Sequence, residues 1–117
     1  MEIGKGLLAQ ADQARMTNKN WLGKHYLYFI FDEDCNAIKI GVSNNVYQRL
    51  KKIKVDNIHS LKILKIIEYQ GYGWKEAACK SRAAESEAHK IFKDYQIRNE
   101  WFRYEGKLKS FIEKING

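Results

Sequence analysis

Five side chains in this sequence combine into one set of chemical tools: the Tyr28 phenol, the Lys39 amine, the Arg49 guanidinium, the Glu85 carboxylate and the His89 imidazole. Hydrolysis of a phosphodiester would need an activated water, a cation to offset the charge growing on the phosphate, and stabilisation of the leaving oxygen. Glu85 is a hard oxygen ligand suited to Mg²⁺ or Mn²⁺, and one protein carboxylate suffices where waters and phosphate oxygens complete the shell. Arg49 offers a planar fork to a non-bridging phosphate oxygen and keeps its charge at every relevant pH. Tyr28 can orient or deprotonate water, although a phenol with a pKa of about 10 needs a metal or a nearby cation to act as a base. Lys39 can be that cation or, if desolvated, the base itself. His89 can shuttle a proton or contact a phosphate. Taken singly, each has an ordinary alternative: a core tyrosine, a snorkelling strand lysine, a solvated helix arginine, a surface glutamate paired with His89 or Arg82, a core-edge histidine.

The elements that must position these groups follow from periodicity. The run HYLYFIF from His25 to Phe31 is aromatic and β-rich, DEDCN supplies turn chemistry, and AIKIGVS forms the second arm of a hairpin. Alternation there sets Lys39 on the face opposite Ile38 and Ile40. Ser43, Asn44 and Asn45 offer caps to a helix over Val46 to Lys54, with Val46, Leu50 and Ile53 on one side and Arg49 beside them. LKILKIIEY reads as a third strand, on its β-branched content. Gly71-Tyr72-Gly73 interrupts the pattern, and Trp74 begins a loop insertion or an early helical turn. The following helix buries Ala84, Ala88, Ile91, Phe92 and Tyr95, with Glu85 and His89 one turn apart on an adjoining face and Glu87 projecting elsewhere. Asn99 to Phe102 follows a short loop, with Asn99, Glu100 and Trp101 expected beside the site and outside the chemistry and Trp101-Phe102 anchoring the last helix, and Gly106 to Ile115 closes as that helix. The expected fold is an α/β or α+β sandwich with a small central three-stranded antiparallel sheet flanked by about three helices.

At 117 residues the chain suits one domain. We place an N-terminal arm or short helix at 1–24 and the folded domain at 25–117. No stretch approaches the roughly 20 apolar residues of a membrane span, and the start lacks a signal core, so a cytoplasmic protein with no membrane partner is expected. Cys35 and Cys79 form no CxxC pair, which suggests neither a disulfide framework nor a zinc site. A net charge of +7 favours a polyanionic partner. Tyr26, Tyr47, Tyr69 and Tyr72 with Lys51, Lys52, Lys54 and Arg82 could form an aromatic and basic groove for nucleic acid.

Tyr26-Leu27-Tyr28 and Lys39-Ile40-Gly41 resemble the paired motifs of the GIY-YIG nucleases, in a Y-L-Y and K-I-G form. Arg49, eight residues after Gly41, resembles that family's helix arginine, and Glu85 in AESEAHKIF its metal-binding glutamate. ExxxH at Glu85 and His89, followed by NEWF, looks like the small phage- and prophage-associated branch that also uses KIG. Tyr26 stands where many members have Gly, and Lys39 where many have the second Tyr, which leaves the proton acceptor open between Tyr28 and Lys39. The resemblance implies an endonuclease that cuts DNA with Mg²⁺ or Mn²⁺ and leaves a 5′-phosphate and a 3′-hydroxyl.

Two other classes compete: a nucleic-acid-binding module that kept the fold without turnover, and a protein-interaction domain, which predicts no divalent-metal binding near Glu85. So short a chain leaves little surface for reading a long sequence, so low specificity or homo-oligomerisation is expected.

Overall fold

A computed structural model describes residues 22–55 and 59–116. Its strands are β1 (Leu22–Asp32), β2 (Ala37–Ser43), β3 (Leu61–Tyr72), β4 (Gln96–Arg98) and β5 (Trp101–Arg103). The helices are α1 (Val46–Val55), α2 (Gly73–Ile91) and α3 (Gly106–Asn116). All strand pairs are antiparallel, in the order β3-β1-β2-β5-β4.

The sheet therefore has five strands, not the three expected from the sequence. The two missed strands, Gln96–Arg98 and Trp101–Arg103, are three residues each, too short for an alternating pattern to register. They form a hairpin whose turn carries Asn99 at φ +54, and β5 docks on β2 through Ala37↔Arg103, Ile38↔Phe102 and Lys39↔Trp101. Of the arm expected at 1–24, residues 22–24 pair within β1 and the rest lies outside the described residues. Gly71 and Tyr72 still belong to β3, and the helix begins directly at Gly73, whose φ of +68 turns the chain out of the strand.

Alternation along β1 divides the interior in two. Leu27 and Phe29 join Ile38, Ile40, Ile67, Tyr69 and Phe102 beneath α2 and α3, which contribute Ala84, Ala88, Leu108, Phe111 and Ile112, with Phe92 at the end of α2. Tyr28 and Ile30 face the other way, against Val46, Leu50 and Ile53 of α1. Each of the large apolar side chains so buried contributes about 1.5–3 kcal/mol. The buried face of α2 is small: Ala77, Ala78, Ser81, Ala84 and Ala88. Short side chains let the helix backbone lie close over the sheet, which carries the longer residues beside them, Arg82 and Glu85, to the sheet margin. No described helix is long and apolar enough to cross a membrane.

Candidate functional site

β5 covers only Ala37 to Lys39 of β2, and one further bond, Ile40 N–H to the Glu100 carbonyl at 2.9 Å, ends the pairing. Past that point lies a polar cleft of about 330 Å³, lined by His25, Tyr28, Val42, Ser43, Asn44, Arg49, Arg82, Glu85 and Glu100. Three of the five proposed chemical residues, Tyr28, Arg49 and Glu85, thus meet in one place, although they come from β1, α1 and α2.

The Tyr28 ring is 1% exposed, and burial, then Glu100, pushes its phenol up to about 12. Gly41 lies directly across from it in the β1–β2 register. A Cβ at Gly41 would collide with the Tyr28 hydroxyl and lie 2.9 Å from Glu100 Oε1. The K-I-G glycine is therefore the space into which the phenol and the Glu100 carboxylate fit. Gly41→Ala should destabilise the fold by about 1–3 kcal/mol, the usual range for overpacking, because the Tyr28 ring is enclosed and cannot retreat. Denaturant unfolding would read this, and a variant as stable as the wild type would contradict the packing.

Glu85 is half-buried. Its carboxyl is raised above the ordinary value by burial first and by Glu100 second, while His89, Arg82 and Lys39 oppose the rise. Two carboxylates facing one cleft repel each other, and a divalent cation with hard oxygen preference fits that donor set. Arg49 and Arg82 add two guanidinium groups to the lining.

Lys39 and His89 are placed beside the cleft instead. Lys39 Nζ pairs with Glu100 Oε1 at 3.3 Å and lies 5.5 Å from the centre of the Trp101 ring. His89 Nε2 donates to the Ile40 carbonyl at 3.0 Å and its ring packs on Phe102, so its contacts fasten α2 to β2. Glu87 lies on the Tyr69 side of α2, where its charge adds to burial, the larger cause, in raising the tyrosine pKa.

His25, which sequence reasoning passed over, is the notable addition. Ser81 Oγ donates to the Ala78 carbonyl at 2.9 Å, so at 2.6 Å from His25 Nδ1 it accepts that nitrogen's proton. This leaves the lone pair on Nε2 of a ring that lines the cleft. Burial, then Arg82 and Arg49, lowers the pKa of His25, favouring neutral imidazole. Only the docking of α2 on β1 brings Ser81 to His25, so no local sequence signal marks it. Glu100, expected beside the site and not in it, lines the cleft itself, entering from the turn between β4 and β5.

Of the expected nucleic-acid contacts, Arg82 is inside the cleft. Tyr26 and Tyr47 share a neighbouring depression of about 310 Å³, which meets the cleft at Asn44. Tyr47 is 67% exposed, and Lys51 and Lys52 are exposed on the same helix.

The chain is an antiparallel α+β domain that gathers paired carboxylates and paired arginines in one marginal cleft, a donor set whose chemistry suits a cation beside an anion. The chain belongs to the T5orf172 domain family, whose model matches residues 25–116. That family is phage-associated and occurs in nuclease contexts. Neither the curated proteins nor the solved structures offered a match.

Proposed function

We propose that this protein is a divalent-metal-dependent DNA endonuclease of the GIY-YIG type. The observation that carries the reading is the convergence of Tyr28, Arg49 and Glu85, with His25, Arg82 and Glu100, on one cleft. Glu85, with Glu100 near it, would hold Mg²⁺ or Mn²⁺. When bound, the ion offsets phosphate charge and acidifies coordinated water. Arg49 and Arg82 take non-bridging oxygens of the scissile phosphate. His25 Nε2 accepts the proton of the attacking water. Tyr28, its phenol pushed up to about 12 by burial first and Glu100 second, donates a hydrogen bond that orients that water or the phosphate. Lys39 acts through Glu100, holding that carboxylate in place. Tyr26 and Tyr47 supply a stacking surface beside the cut, and Lys51 and Lys52 track the backbone.

Labelled single-stranded, duplex and branched DNA incubated with Mg²⁺ or Mn²⁺ should be cut, and chelation should stop it. Binding of every substrate with no cutting would replace this reading with a binding module of the same fold. Four phosphate contacts, from Arg49, Arg82, Lys51 and Lys52, predict duplex binding about a hundredfold weaker at roughly 200 mM salt than at 50 mM. Salt-insensitive binding would refute the backbone contacts.

A further inference from the structure

A second cluster of donors lies at the far end of β1, outside the cleft. Asp32, Cys35 and His59 each present one ligand atom, all within 4.8 Å of one another. His59 Nδ1 lies 2.6 Å from Asp32 Oδ2 and 3.4 Å from Cys35 Sγ. We propose that these three side chains bind a borderline-soft divalent ion of the zinc class, which fastens the β1–β2 turn to the head of β3.

The surroundings hold the donors in place without the ion. Asp32 is 3% exposed, and its Oδ1 accepts the N–H groups of Asp34 at 3.0 Å and Cys35 at 3.2 Å, which leaves Oδ2 directed at His59. Those bonds shape the turn that presents Cys35, and Asn36 completes it at φ +52. The Glu33 N–H donates to the Ser60 carbonyl at 3.0 Å and the Ser60 N–H to Asp34 Oδ2 at 2.9 Å, so the segment carrying His59 is tied to the turn. Pre-built support of this kind is what orients metal ligands.

The donor set selects the ion. One thiolate, one imidazole and one carboxylate suit tetrahedral Zn²⁺ with a fourth position for water, whereas Mg²⁺ takes oxygen alone. Zinc bonds of about 2.3 Å to sulfur and about 2.0–2.1 Å to nitrogen place those atoms roughly 3.5 Å apart, close to the 3.4 Å between Cys35 Sγ and His59 Nδ1. The nitrogen and oxygen, now hydrogen-bonded at 2.6 Å, need to separate by under about 1 Å. Capture of the ion releases the Cys35 thiol proton to solvent, and the Nδ1 proton that now bonds Asp32 moves to Nε2, or to solvent where Nε2 already carries one, so that His59 ligates as neutral imidazole through the Nδ1 lone pair. The spacing of the ligands explains why the sequence pointed away from zinc: no CxxC exists, and the histidine is 24 residues from the cysteine.

Titrating the reduced, metal-stripped full chain with Co²⁺ tests this directly. The expected result is a near-ultraviolet thiolate-to-cobalt band that saturates at one equivalent, disappears on adding Zn²⁺, persists in Cys79→Ser and is lost in Cys35→Ser. His59→Gln should weaken binding by more than the roughly 10–100-fold typical of losing an outer-shell partner. Zn²⁺ should raise the Tm of the wild type and of Cys79→Ser but not of Cys35→Ser. Absence of the band, its survival in Cys35→Ser, or an equal Tm shift in that variant would overturn the site. Cobalt held by Glu85 gives no sulfur band, so this result stands apart from that of the nuclease test.

Discussion

Glu85→Gln should leave the chain folded and abolish the proposed metal-dependent cleavage, lowering the rate by about a thousandfold or more, since a metal supplies several kcal/mol to the transition state and each 1.36 kcal/mol is tenfold. The substitution keeps the shape of a half-buried side chain and removes the repulsion from Glu100, so thermal stability should be equal or slightly higher. Raising Mn²⁺ should recover little, because glutamine is a poor ligand for a hard cation that must shed water. Single-turnover cleavage beside an unfolding curve separates the two effects. Wild-type turnover in this variant would remove Glu85 from the chemistry and with it the proposed metal centre.

His25→Ala should cost about 10²–10⁴-fold in turnover, the span of a positioned general base. DNA affinity should hardly change, and added imidazole should restore part of the rate through the cavity left behind. For the wild type the lowered pKa sets the expected sign: a base that works as neutral imidazole should hold the rate through neutral pH and let it fall on the acid side, below the ordinary 6.5. The groups facing that cleft are Arg49, Arg82, Tyr28, Glu85 and Glu100, and the two arginines are what lower the value beyond burial. In His25→Ala this acid limb should vanish. Folding stability follows the same sign: the unfolded chain takes up a proton that the folded chain resists, so stability present above 6.5 is lost as the pH falls below it. A rate and a pH profile both unchanged by the substitution would reduce His25 to a prop for Ser81.

Residues carried by long periodic elements were legible in the sequence. Tyr28 and Lys39 could be assigned to opposed strands because HYLYFIF and AIKIGVS are separated by a turn of strong local chemistry, and Arg49 and Glu85 fell on helices with clear apolar stripes. What stayed hidden depends on non-local pairing. Glu100 reaches the cleft because three residues of β5 dock on β2, a contact that leaves no periodic trace. His25 and Ser81 are 56 residues apart and meet only through the packing of α2. Lys39 was placed on the correct face, yet its partner Glu100 could not be foreseen. Glycine 41 was visible as part of a motif, but its reason, the room it leaves for a hydroxyl and a carboxylate, is purely tertiary.

The order of the strands also bears on how the chain acquires its cleft during synthesis. β1 and β2 are adjacent in sequence and form a local hairpin, so Tyr28, Gly41 and Arg49 are made first and can be arranged early. Glu85 and Glu100 emerge afterwards, and β5 must then insert beside β2, with β4 outermost. A growing chain therefore displays its arginine helix before either carboxylate is present. On the function proposed above, a chain at that stage would carry a phosphate-binding arginine without the carboxylates for cutting, so hydrolysis would be confined to molecules whose last strands have docked.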